Sequence, residues 1–186
     1  TMYTTNALDK AMTITSEMKI QLSTITEYQD KQCDLFSEYS FFSSLSEYKK
    51  RNQDDRGKIT KDIYNGKKAE FLVYNFLISK QKKLSSPDLN IYEKYNKSYD
   101  ADLHLKDINI HVKSHSVNGN FPISWVFQKE DPLLSVIQEH NFLALVVMDK
   151  ETNYMYLKKV SEVTFKEPLK ECLRETKVCI YESDFI

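Results

Sequence analysis

Between Lys58 and about Lys80 the chain repeats apolar and small residues at spacings of three and four. Ile59, Ile63, Gly66, Val73 and Leu77 fall on one face, the periodicity of a helix turned toward a core. Glu70 lies inside that stripe, where an ionised carboxylate is costly unless a cation or hydrogen-bond donors meet it. The period then changes. In Ala101–Lys113, Leu103, Leu105, Ile108, Ile110 and Val112 alternate with Asp102, His104, Asn109, His111 and Lys113 on both sides of Lys106–Asp107. Period-two alternation around a short polar turn predicts a β-hairpin. A turn centred on Lys106–Asp107 sets His104 across from Asn109, Asp102 across from His111 and Asp100 across from Lys113.

Other segments read more coarsely. Residues 1–48 lack Gly and Pro and show a mixed pattern through Met12, Ile14, Met18, Ile20, Leu22 and Ile25, which predicts an N-terminal extension with one or two helices. Lys49 to Arg56 reads as a linker, residues 81–90 as a turn-rich loop and Ile91–Tyr95 as a short strand. Ile123–Gln128 predicts a third strand with Ile123, Trp125 and Phe127 on its inner side. Asp131 is the expected N-cap of a following helix, with Pro132 at its first position. Phe142–Met148 is a continuous apolar run, as in a strand covered on both faces, and Tyr154–Leu157 is expected to return antiparallel to it. A short helix near Pro168–Thr176 and a strand at Val178–Tyr181 complete the pattern. This order predicts an α/β fold with a mixed β-sheet flanked by helices, divided into an N-terminal extension (1–54) packed on a core (55–186).

Composition narrows the chemistry. The 186 residues are 41% apolar and 28% charged, a balance suited to one compact core. With three glycines, neither GxGxxG nor GxxxxGK[ST] nor GxSxG can be built, which excludes Rossmann, P-loop and nucleophile-elbow readings. Three cysteines without CxxC spacing argue against a disulfide framework or a zinc ribbon. No stretch reaches the roughly eighteen apolar residues of a membrane span, and the N-terminus shows no leader pattern. A cytoplasmic protein without membrane contact is therefore expected.

The net charge of −1 conceals an uneven distribution. Residues 49–113 carry fifteen Lys or Arg against nine acids, whereas 1–48 carry three against seven and 114–186 eight against eleven. The basic middle, including Lys67 and Lys68, could meet phosphates if its ammonium groups share a face; otherwise it is a set of solvated lysines.

The hairpin carries the candidate chemistry. Asp102, His111 and Lys113 on its polar face, with Glu70 on the preceding helix, form a candidate divalent-metal site. Carboxylates suit Mg²⁺ or Mn²⁺, while an imidazole leans toward Mn²⁺. A neighbouring ammonium can orient a water or stabilise charge on a phosphoryl group. Asp100 is an alternative to Asp102, and His104 and His115 are candidates for phosphate or metal contact. The competing reading is an ordinary wet face of a hairpin.

These residues, in this order, resemble the PD-(D/E)XK nuclease superfamily, whose fold is restriction-endonuclease-like. The resemblance covers about residues 57–148 and rests on Glu70 in GKKAEFLVYNFL, Asp102 in YDADLHL and His111-Val112-Lys113 in INIHVKS. It implies Asp102 as central metal ligand, Glu70 as accessory ligand and Lys113 as the catalytic lysine. His111 stands where the family usually has Glu, Asp or Gln, which removes one negative charge from the site. Gln128 matches the use, in some of these nucleases, of a Gln beyond the lysine; their QxxxY signature is absent. The implied function is hydrolysis of phosphodiester bonds by a metal-activated water in nucleic acid, DNA ahead of RNA, with Lys67, Lys68, His115 and Gln128 toward substrate. A homodimer would suit paired cuts. The alternative is a catalytically inactive nuclease-like domain that binds nucleic acid or a protein partner.

Overall fold

The structure is a computed structural model that describes residues 19–80, 82–92, 100–135 and 139–186. Strand β1 (Ile20–Leu22) leads into helices α1 (Glu27–Ser43), α2 (Leu45–Lys50) and α3 (Arg56–Ser79). Then come β2 (Leu103–Leu105), β3 (Ile108–Ser116), β4 (Ser124–Gln128), α4 (Pro132–Ser135), β5 (Asn141–Met148), β6 (Asn153–Lys159) and β7 (Lys177–Tyr181). The fold is mixed α/β, built on a five-stranded sheet in the order β1-β6-β5-β3-β2.

Helix α3 starts at Arg56, two residues before the expected Lys58. Asp55 accepts a hydrogen bond from the Lys58 N–H at 3.0 Å, satisfying one of the donors left over at the helix N-terminus. Its buried Ala69, Leu72, Val73 and Leu77 pack against Leu103, Leu105, Ile108 and Ile110 of the hairpin and Phe142, Ala144 and Val146 of β5. The hairpin register is the expected one over three pairs, Leu103 with Ile110, His104 with Asn109 and Leu105 with Ile108; the expected Asp102–His111 and Asp100–Lys113 pairs are not in the ladder, because β2 starts at Leu103. Without a turn glycine, Lys106 itself takes the left-handed conformation, φ 51°.

All eight residues of β5 are buried. The strand runs parallel to β3 and antiparallel to β6, and its alternate side chains feed two cores. Phe142, Ala144 and Val146 face α3, while Leu143, Leu145 and Val147 join Trp125, Phe127, Tyr156 and Ile180 on the other side.

Four expectations need correction. Strand β4 does not extend the main sheet; it pairs with β7 in a separate two-stranded sheet that covers the second face. Its inner residues are the expected Trp125 and Phe127, but periodicity states which face is buried and not which strand is the neighbour. The Trp125 indole N–H donates to the Val146 carbonyl at 3.0 Å, tying this layer to β5. Residues 49–56 are not one linker, because α2 runs through Lys50 and α3 begins at Arg56. Ile91 and Tyr92 are not in a strand, and residues 93–95 of that expectation lie outside the described residues. The helix expected near 168–176 is a single 3₁₀ turn, Glu171–Leu173. The helix expected after Asp131 does start at Pro132, with Asp131 accepting from the Leu133 N–H at 3.0 Å.

The N-terminal segment contributes directly. β1 pairs with β6, and α1 lies along α3, joined by a Gln29–Asn75 hydrogen bond at 2.8 Å and a Tyr64–Asp30 hydrogen bond. No helix among the described residues is long and apolar enough to cross a membrane.

Candidate active site

Strand β2 starts only at Leu103, and the side chain of Asp102, the residue before it, takes over a backbone task. Its carboxylate accepts a hydrogen bond from the Val112 N–H at 2.7 Å, satisfying a donor of β3 that β2 no longer reaches. Asp102 thus sits beside β3 at the edge of the α3 face. Glu70, one turn beyond Lys67 on α3, comes close enough for the Asp102 charge to act on it.

Both carboxylates open into a cleft of about 330 Å³, with Asp88, Asp100, Tyr92 and His104 among its lining residues. Burial pushes the Glu70 carboxyl up to about 8, and the negative Asp102 adds to the rise. Lys67 pulls in the opposite direction: its ammonium lies 2.7 Å from Glu70 Oε2, both side chains being largely buried at 8% and 13% exposure. Its attraction offsets only part of the rise. Lys67 also donates to the Asp88 carbonyl at 2.6 Å and lies 4.4 Å from the Phe36 ring centroid. Burial raises Asp102 too, against the Val112 hydrogen bond and the charges of His111, Lys113 and Lys67. Asp88 behaves differently. Burial pushes it up, but hydrogen bonds from Tyr92 and Asn90 outweigh that and hold it below the ordinary carboxylate value.

The expected residues are brought together unevenly. Glu70, Asp102 and Lys67 share the cleft. His111 is half-buried on the sheet face away from α3 and hydrogen-bonds Asn141; burial lowers its pKa more than Asp102 raises it, favouring the neutral ring. Lys113 does not line this cleft but a second pocket, with Ser114 and His115; its charge acts on Asp102 while its Nζ lies 4.9 Å from the Phe127 ring centroid. His115 is spent on the main chain, with Nδ1 2.9 Å from the Ser124 carbonyl oxygen. Lys68 lies in a different depression, near Thr24–Asp30 and Asn153, and Gln128 stands exposed at the end of β4, paired with Lys177. Of the basic segment, Arg56 is paired with Glu38 at 2.6 Å and Lys50 with Glu47 at 3.4 Å. Sequence reasoning missed Asp88, whose carbonyl meets the distant Lys67, and Asn141, which meets His111; the Pro87-Asp88 turn signal marks a loop but no contact.

The donor set bears on the expected Mg²⁺ or Mn²⁺. Among the described residues no group of three or more His, Cys, Asp or Glu side chains is arranged to hold a metal ion, and His111 does not complete the carboxylate pair. Glu70 and Asp102 do fit a hard cation held by two carboxylates, with the remaining positions filled by water and substrate oxygens, the usual protein ligation of Mg²⁺. Such an ion would share Glu70 with the Lys67 ammonium, which holds Oε2.

Compared with known proteins, the chain matches no family model, no curated protein and no solved structure.

Proposed function

We propose that the chain is a metal-dependent nuclease of the PD-(D/E)XK type, with Glu70 and Asp102 as its ligand pair. The observation that carries this reading is the meeting of two partly buried carboxylates from separate elements in one open cleft, each with a raised pKa. Placing like charges together out of water costs stability, and such arrangements concentrate at functional sites. Glu70 and Asp102 would hold the ion, which supplies a water of lowered pKa and polarises a phosphoryl oxygen. Lys113 contributes a positive charge beside Asp102 for the phosphate under attack. The Val112 N–H fixes one Asp102 oxygen and so orients the other. His111, neutral and bound to Asn141, supports the strand rather than the ion.

The test is incubation of the purified chain with single- and double-stranded DNA and RNA in Mg²⁺ and then Mn²⁺, beside calorimetric titration with each metal. Asp102→Asn should abolish the metal-binding heat and lower cleavage by about a hundredfold or more, and Lys113→Ala should lower cleavage similarly while retaining the heat. A second reading has its own support in the Lys67–Glu70 ion pair, an internal cation already on one ligand: an inactive nuclease-like domain that binds nucleic acid. Retained binding without metal heat or cleavage would select it.

A further inference from the structure

A second pocket, of about 420 Å³, is lined by Lys113, within the roughly 300–1,000 Å³ range of small-ligand sites. Its walls differ in chemistry. Lys113, Ser114, His115 and Ser116 of β3 make a polar wall, extended by Asn65 of α3, which donates to Ser116 Oγ at 3.0 Å. Opposite are Phe121 in the β3–β4 loop, Val126 and Leu169, which remain 41%, 38% and 58% exposed. Lys170 brings its ammonium to 4.6 Å from the Phe121 ring centroid. A partly exposed aromatic ring with Lys170 against it therefore shares the pocket with a second lysine, Lys113.

A ligand that satisfies both walls is a planar apolar group joined to an anion. Asp62 also lines the pocket, and its charge opposes a run of phosphates, so one phosphate fits better than a polyphosphate tail. We propose that this pocket seats one unstacked nucleotide of a single-stranded nucleic acid, with its base on Phe121 and its phosphate toward Lys113 and Lys170. The strand's continuation past Lys113 to Asp102 rests on the nuclease reading; the nucleotide site itself does not. Bases in a duplex stay stacked on their neighbours and cannot enter a walled pocket without extrusion. Stacking on an aromatic ring beside cations is how single strands are held without regard to sequence.

The experiment measures fluorescence anisotropy of a labelled oligothymidylate of about ten nucleotides, a length within common single-strand site sizes, binding to the full chain in a chelating buffer that prevents cleavage. Phe121→Ala should weaken binding by about 5- to 150-fold, the effect of losing one base stack. Lys170→Ala should weaken it and reduce its salt dependence. Phe121→Trp should keep the affinity, and its added indole fluorescence should be quenched by the oligonucleotide. A hairpin duplex should compete poorly. Phe121→Ala binding like the parent, with an unchanged circular dichroism spectrum, would overturn the proposal, as would equal competition by the duplex. Cleavage assays separate the two readings. Phe121-dependent binding without cleavage in either metal leaves the pocket and removes the nuclease; cleavage with Phe121→Ala unchanged in KM does the reverse.

Discussion

Replacing Glu70 with Gln is expected to stabilise the metal-free protein, and by an amount that depends on pH. Gln has the shape of a protonated Glu and cannot ionise, so the variant stays close to the form of the native protein present at low pH. In the parent, the Glu70 carboxyl is moved from the ordinary 4.5 to about 8 by burial and by Asp102. Because the folded pKa lies above the unfolded one, the unfolded chain releases this proton first as pH rises. The Glu70 contribution to stability is whole below about pH 4.5, falls steadily above it and levels off beyond pH 8. At roughly 1.4 kcal/mol per pKa unit, the loss is about 3 kcal/mol at pH 7 and about 5 kcal/mol at pH 9. The Lys67 attraction is already contained in the shifted value, since it acts on the ionised form alone. Urea unfolding of parent and Glu70→Gln in chelating buffer at pH 5, 7 and 8.5 measures the difference directly. Near-equal stability at pH 5 and a widening advantage for Gln at higher pH are expected. A gap that stays constant with pH, or a parent more stable at pH 8.5, would refute the argument that the cleft holds a carboxylate against its preference. Repeating the pH 8.5 measurement in Mg²⁺ links this result to function: an ion bound by the native carboxylate pair stabilises the parent and narrows the gap, but does little for the variant.

Two more outcomes test the core. Cys33 is buried with its thiol pushed up to about 12, and Cys179 is buried and shifted upward, so a thiol reagent at pH 8 should titrate Cys172 alone in the native protein and all three thiols after denaturation. Trp125→Phe removes the indole donor to the Val146 carbonyl and leaves that acceptor unpaired by the side chain. A loss of about 1–3 kcal/mol in urea unfolding is expected, and unchanged stability would show that the small sheet is not anchored there.

The carboxylate cleft was legible in part. Glu70 stood out because a charged residue interrupted an apolar stripe, and Asp102 and Lys113 because they fell on the polar phase of a hairpin; both signals are local and survive in a string of letters. Hidden were the third dimension of the same residues. Lys67 is three positions from Glu70, a spacing that permits an ion pair in any helix, yet its near-complete burial comes from the Asp88 loop and Phe36 closing over it. His111 lies one residue from Asp102's hydrogen-bonded partner Val112, and still it turns toward Asn141 on the opposite face, because successive strand residues point to opposite sides. Phe121 and Lys170 meet from segments with no shared periodicity.

By itself the sequence determined the elements set by nearest neighbours: the apolar face of helix α3, the β2–β3 hairpin with its register, and β5 as a strand apolar on both faces. Helical and strand periods are properties of a few consecutive residues, and burial of one face follows from them. The tertiary structure alone decided that β5 runs beside β3, that β4 leaves the main sheet to pair with β7, and that β1 adds at the far edge of the sheet. Strand pairing is made by backbone groups common to every residue, so the side-chain pattern does not name a partner. That choice falls to packing across the whole domain, where Trp125 and Phe127 close one face of β5 and α3 the other.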